Sequence, residues 1–326
     1  MQGKLCATIA FCALLAGCNT DPPCPQVAEE GTDDSEAAGA IYADSGDPFS
    51  TGPLSVQMLD LPRCAIGAPR PLRLFFPVSA GTYAVVQYQH GFQTSNEYYD
   101  EILTQLASHG FIVVVPQMYE QGPESIVSLT TAEEAERAAA VREWIGTHLN
   151  RAIEAPGVIA ATDRVGIAGH SRGGKVGYLL VKSDPSRVRG IVGVDPVDGT
   201  GGPLGGQPRL IEGPFEFDLP SLVIGTELGG DCAPAGDNYV QFFNAAPSPS
   251  WQVVALAQGH ADMMDPDVVE GPRAICGGGD DLAGMRRLTA GLMIAFFRGT
   301  LQNEPGALEA LSLAELMPIP TSVASK

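Results

Sequence analysis

From about residue 50 the chain alternates short apolar runs with stretches of helical period. Residues 83–88, Tyr-Ala-Val-Val-Gln-Tyr, read as a strand. Across residues 97–108, Ile102, Leu103 and Leu106 share one helical face, and Gly110 stands where such a helix stops. Residues 111–115, Phe-Ile-Val-Val-Val, form an unbroken apolar run closed by Pro116. That is the pattern of a strand buried on both faces. Thr131 and Glu134 have capping-box spacing for a helix running through Trp144. A strand over 164–168, a helix over 172–182, strands over 190–194, 222–225 and 252–256, and a last helix over 282–298 follow. Strands alternating with helices predict an α/β fold: a mostly parallel central sheet with helices on both faces. No internal repeat interrupts the pattern, so one domain is expected over 50–326.

The first residues follow a different pattern. Lys4 precedes an almost wholly apolar run over 5–16. A spanning helix needs about 20 such residues, so this run is too short for one and suits a signal peptide. It ends in Leu15-Ala16-Gly17-Cys18, which resembles a bacterial lipobox. The expectation is a signal over 1–17, a lipid on Cys18 and a flexible acidic stalk over 18–49 rich in Asp, Glu, Pro, Gly, Ala and Ser. The protein would then be an exported lipoprotein, anchored to a membrane on its periplasmic or cell-surface side.

Composition narrows the partners. Apolar residues make up 44% of the 326, enough for a large core, and charged residues only 17%, too few for a coiled coil or a disordered chain. A net charge of −19 without a basic stripe excludes nucleic acid as a natural partner. Once Cys6, Cys12 and Cys18 are assigned to the leader and the lipid, Cys24, Cys64, Cys232 and Cys276 remain, an even set for an oxidising compartment. Cys232 with Cys276, bracketing a loop-rich region, is the first pairing to expect; Cys24 with Cys64 is the remaining pair.

The candidate chemistry lies in 164–174. An apolar strand runs into Gly169-His170-Ser171-Arg172-Gly173, and a helical pattern follows. Gly-x-Ser-x-Gly between a strand and a helix is a nucleophile elbow. The turn is so tight that side chains at the glycine positions would collide, and the serine hydroxyl is pushed out above the sheet. Serine needs a base, and the base needs an orienting acid. Of five histidines, His260 alone follows Ser171 after further strands, in a loop at the carboxyl edge of the sheet. His109 and His148, near helix ends, are expected in solvent, and His170 is expected to pack or line the pocket. Asp195 and Glu227 each follow a strand, and spacing alone leaves both open as the acid. Asp198 reads as a turn cap. For the oxyanion, the amide of Arg172 is one candidate donor, and that of Phe92, in Gln89-His90-Gly91-Phe92 after an early strand, is the other. Phe92, Met118, Tyr119, Met263 and Met264 are candidates for an apolar pocket wall.

The motifs His90-Gly91-Phe92, residues 107–117, Gly169-His170-Ser171-Arg172-Gly173-Gly174, residues 193–199, residues 232–236 and residues 259–265 occur in one order. On them the chain resembles the chlorophyllases, serine esterases of the α/β-hydrolase fold. It is more loosely similar to platelet-activating-factor acetylhydrolases and polyester hydrolases. The resemblance implies Asp195, in Asp-Pro-Val, as the acid. It implies a carboxylic-ester hydrolase acting on a hydrophobic ester, small or polymeric, through an acyl-enzyme, with no metal or cofactor. A substrate does not follow from a fold. The remaining alternative is a surface lipoprotein that has kept the fold without the catalysis.

Overall fold

The computed structural model describes residues 24, 40–44, 46–119, 129–199 and 207–326. The leader, Cys18 and most of the acidic segment lie outside the described residues. Nine strands among them make one sheet: β1 (Val56–Leu61), β2 (Leu72–Pro77), β3 (Gly81–Gln89), β4 (Phe111–Pro116), β5 (Val158–His170), β6 (Val188–Val194), β7 (Ser221–Leu228), β8 (Ser250–Gly259) and β9 (Thr321–Ser325). Their order is β1-β2-β4-β3-β5-β6-β7-β8-β9. The run from β4 to β8 is parallel, while β1, β2 and β9 add antiparallel edges. Parallel neighbours need a crossover, and helices lie in four of them: α1 (Asp100–Ser108) between β3 and β4, α2 (Thr131–Ala152) between β4 and β5, α3 (Arg172–Ser183) between β5 and β6, and α4 (Tyr239–Ala245) between β7 and β8; α5 (Glu270–Cys276) and α6 (Leu282–Thr300) precede the antiparallel β9.

Two apolar layers enclose the sheet. On one face Ile102, Leu103 and Leu106 of α1 and Leu288, Met293 and Phe297 of α6 pack against Val86, Val113 and Val192. On the other, Val141 and Ile145 of α2 and Val176 and Leu180 of α3 cover Val85, Val114 and Ile167. The whole of β4 is buried, as its unbroken apolar run requires. This is the α/β-hydrolase architecture.

Several expectations shift. The capping box at α2 is Thr130 with Glu133, one residue earlier than Thr131 and Glu134: the Thr130 hydroxyl accepts from the Glu133 amide at 3.2 Å, and the Glu133 carboxylate accepts from the Thr130 amide at 2.7 Å. Glu134 is thereby turned inward. The helix runs past Trp144 to Ala152. Strands β1, β2 and β9 and helices α4 and α5 add to those expected. Residues 41–44 and 46–49, read from composition as stalk, are seated on the fold. Ile41 bridges to Thr82, and Asp44 binds Arg298 at 2.7 Å and His109 at 2.6 Å. His109 is therefore buried rather than solvated, while His148 is half-buried and stacks on Trp144 with ring centroids 6.4 Å apart. Both expected disulfides are present, Cys232–Cys276 and Cys24–Cys64.

Candidate active site

Ser171 stands between β5 and α3 with φ 56° and ψ −125°, a conformation that side chains rarely adopt. Its flanking glycines make room for the turn. A Cβ on Gly169 would lie 2.5 Å from the Gly173 carbonyl oxygen, and one on Gly173 would lie 2.3 Å from that of Gln89. The main chain locks the elbow to the next strand, since the Ser171 amide donates to the Val194 carbonyl at 2.9 Å. Three strands then converge. His260, directly after β8, has Nε2 2.9 Å from Ser171 Oγ and Nδ1 2.6 Å from Asp195 Oδ2. Asp195, directly after β6, is fully buried. Its Oδ1 accepts from the Thr226 amide at 3.1 Å and its Oδ2 from the Thr226 hydroxyl at 2.7 Å. The three side chains form one hydrogen-bonded line at the carboxyl edge of the sheet, the place where open parallel sheets carry their ligands.

The chlorophyllase family profile matches residues 45–324. The chain belongs to the chlorophyllase family. It is 34% identical to chlorophyllase-2 of Arabidopsis thaliana over 263 residues, covering 74% of this chain and 81% of that one. It is 35% identical to chloroplastic chlorophyllase-1 of Citrus unshiu over 244 residues, covering 71% and 72%. Against chlorophyllase type 0 of Chenopodium album the identity is 31% over 261 residues, covering 74% of each.

Within this chlorophyllase-family site, Glu227 is not brought to the histidine. Its carboxylate is exposed and accepts from the Ala257 amide at 2.7 Å. Asp198 accepts from the amides of Leu210 and Ile211 at 2.6 and 3.0 Å and pairs with buried Lys175 at 3.3 Å, so it caps a turn. The amides of Phe92 and Arg172 have no acceptor among the described residues. They lie beside the elbow, at a loop after β3 and at the first residue of α3. Of the proposed pocket wall, only Phe92 and Tyr119 are half-exposed, packed edge to face with centroids 5.8 Å apart. Met118, Met263 and Met264 are core residues. A cavity of about 520 Å³ lined by Arg70, Asn96 and Gln117 shares only Tyr119 with this site.

The tertiary structure packs His170, as expected, and adds residues that the motif reading did not assign. His170 is buried, with Nε2 2.8 Å from the His260 carbonyl and Nδ1 2.9 Å from Tyr99 Oη. A carbonyl only accepts, so Nε2 carries the proton and Nδ1 accepts from the tyrosine. The Gly91 amide in turn donates to Tyr99 Oη at 3.1 Å. Burial, and the nearby His260, hold the His170 imidazole well below the ordinary histidine range, so it stays neutral. Asp262, fully buried, accepts from the Gly259 and Gly279 amides at 2.6 Å each and braces the His260 turn. Thr226, Tyr99 and Asp262 carry no local signal, because each acquires its role from a partner distant in space or from a main-chain amide.

Proposed function

We propose that the protein is a serine carboxylic-ester hydrolase of the chlorophyllase type, cleaving a hydrophobic ester through an acyl-enzyme. Ser171 Oγ attacks the ester carbonyl carbon while His260 Nε2 takes its proton. Asp195 holds the His260 ring in position and balances the positive charge that develops on it. The carbonyl oxygen becomes an oxyanion facing the amides of Phe92 and Arg172 at the N-terminus of α3, where backbone N–H groups favour negative charge. The intermediate collapses, the alcohol leaves with the proton from His260, and the acyl group stays on Ser171. Water, deprotonated by His260, then attacks the acyl-enzyme; the bond from the acyl carbon to Ser171 Oγ breaks, His260 returns the proton to Oγ, and the acid is released.

The observation that carries this reading is the unbroken Ser171–His260–Asp195 hydrogen-bonded line, with distances of 2.9 and 2.6 Å. Labelling by a fluorophosphonate tests it. Wild type should be labelled and Ser171→Ala should not; absence of label on folded wild type would favour a non-catalytic lipoprotein. A panel of p-nitrophenyl esters beside chlorophyll, a phospholipid and an aromatic polyester assigns the ester. Turnover confined to the phospholipid or the polyester would move the reading to an acetylhydrolase-type or polyester hydrolase with the same three residues. We further propose that Cys18 carries a lipid that holds the enzyme to a membrane after export. Cys18→Ala should abolish incorporation of labelled palmitate and release the protein from membranes.

A further inference from the structure

Glu134 and Arg172 form a charged pair beside the elbow, and both are buried, at 2% and 4% exposure. The contact is a two-pronged fork. Arg172 Nε donates to Glu134 Oε2 at 3.0 Å, and Arg172 Nη2 lies 2.9 Å from Oε1. Tyr119 Oη donates to Oε1 at 2.7 Å, and Arg172 Nη2 also donates to the Leu129 carbonyl. Both carboxylate oxygens of Glu134, and Nε and Nη2 of Arg172, are thus held. The face of the guanidinium carries the Phe92 ring, whose centroid is 4.8 Å from Cζ.

Net stability does not explain this arrangement. Taking two charges out of water is costly, and apolar residues of similar volume often fill such a space at least as stably. A fork-to-fork pair provides direction, because a planar guanidinium gripped along one edge has one orientation. Phe92 needs such a support. It lies in a short turn where the Thr94 amide donates to the Gly91 carbonyl at 3.3 Å and Gln93 has φ 53°. The Phe92 amide makes no hydrogen bond among the described residues that would fix it.

We propose that Glu134 is a positioning residue for the oxyanion site: by gripping Arg172 it fixes the guanidinium on which Phe92 rests, and so sets the spacing of the Phe92 and Arg172 amides. This rests on the ester-hydrolase reading above, which aims those two amides at the oxyanion. Glu134 touches no reacting atom and acts only through Arg172. Preorganised donors lose much of their effect when displaced by a fraction of an ångström.

The test compares turnover of a p-nitrophenyl ester with the affinity of an alkylboronic acid, which forms a tetrahedral adduct on the nucleophile. In Glu134→Gln, kcat should fall about 10-fold to 100-fold, less than the ~100-fold to 1000-fold expected for losing a whole donor. KM should stay within about threefold, and boronate affinity should fall by the same factor as kcat/KM. Tyr119→Phe keeps the charged pair and should show a smaller parallel loss of about twofold to tenfold, the effect of one hydrogen bond. It decides the matter if Glu134→Gln does not fold. In a Phe92→Leu background, Glu134→Gln should lose much less, because the route through the ring is already gone. Unchanged boronate affinity in the folded variants, or full additivity with Phe92→Leu, would overturn the positioning role while leaving the ester-hydrolase reading intact. Wild type without esterase activity, or full activity in Ser171→Ala, would overturn both.

Discussion

The imidazole of His170 donates from Nε2 to the main-chain carbonyl of His260 at 2.8 Å, and the two rings lie with centroids 4.7 Å apart. The residue before Ser171 thus supports the backbone of the residue that faces it. His170→Phe fills the space but leaves the His260 carbonyl without its donor and the Tyr99 O–H without its acceptor. Stability should drop by about 1–3 kcal/mol, the usual result of an unsatisfied buried group. Ester turnover should fall together with it as His260 loses its seat. Thermal unfolding and steady-state kinetics check this; a variant matching wild type in both would mean the hydrogen bond supports nothing.

Asp195 and Glu227 are separated by their contacts. Asp195→Asn should lower kcat by about 10⁴-fold, because an amide in that place favours the wrong imidazole tautomer. Glu227→Gln, at an exposed position bonded to the Ala257 amide, should stay within about threefold of wild type, as surface substitutions usually do. Initial rates on one p-nitrophenyl ester suffice, and the reverse ranking would reassign the acid.

His90 makes stability depend on pH. Its Nδ1 donates to the Gly91 carbonyl at 2.9 Å, and its Nε2 accepts from the Met118 amide at 2.9 Å, so the folded protein requires the neutral ring. Burial pushes its pKa down to about 4 from the ordinary 6.5. The folded value lies below the unfolded one, so the unfolded chain takes up the proton first as pH falls. The contribution is full above pH 6.5 and is lost between there and about pH 4, on the order of 3 kcal/mol in all. Denaturant unfolding of wild type should therefore weaken more steeply across that window than unfolding of His90→Gln. Parallel curves would contradict the assignment.

The disulfide Cys232–Cys276 closes a long loop, with 44 residues of sequence separation, around the strand that carries His260. Loop-closure entropy for that length amounts to about 4 kcal/mol at 25 °C. Cys232→Ser with Cys276→Ser should lower unfolding free energy by about 2–5 kcal/mol, and a reductant, which opens Cys24–Cys64 as well, should lower that of wild type at least as far. An unchanged denaturation midpoint after verified reduction would refute this.

Much of the centre of this protein was legible in advance, and its margins were not. The strand over 111–115 and the strand–Ser171–helix turn are written in consecutive residues, because a strand buried on both faces must be apolar throughout and a tight elbow must have small neighbours. Antiparallel β1 has the mixed run Val-Gln-Met-Leu-Asp-Leu, and β9 is Thr-Ser-Val-Ala-Ser, so neither carries that signature. β1 is held by the next strand, β2, and β9 by β8, a neighbour distant in sequence, so pairing rather than local pattern makes each a strand. His109 looked solvated at a helix end until Asp44 and Arg298 covered it.

Local order alone therefore determined the alternation of strands and helices, the strained turn at Ser171, and the short set of carboxylates and imidazoles that could serve it. Which of those meet was decided only by folding. Asp195 meets His260 because β6 and β8 end on the same rim and Thr226 turns the carboxylate inward, whereas Glu227, one residue past Thr226, faces solvent. Adjacent residues on a strand point to opposite faces. A spacing along the chain names the candidates for a site, and the pleat and the packing around it choose among them.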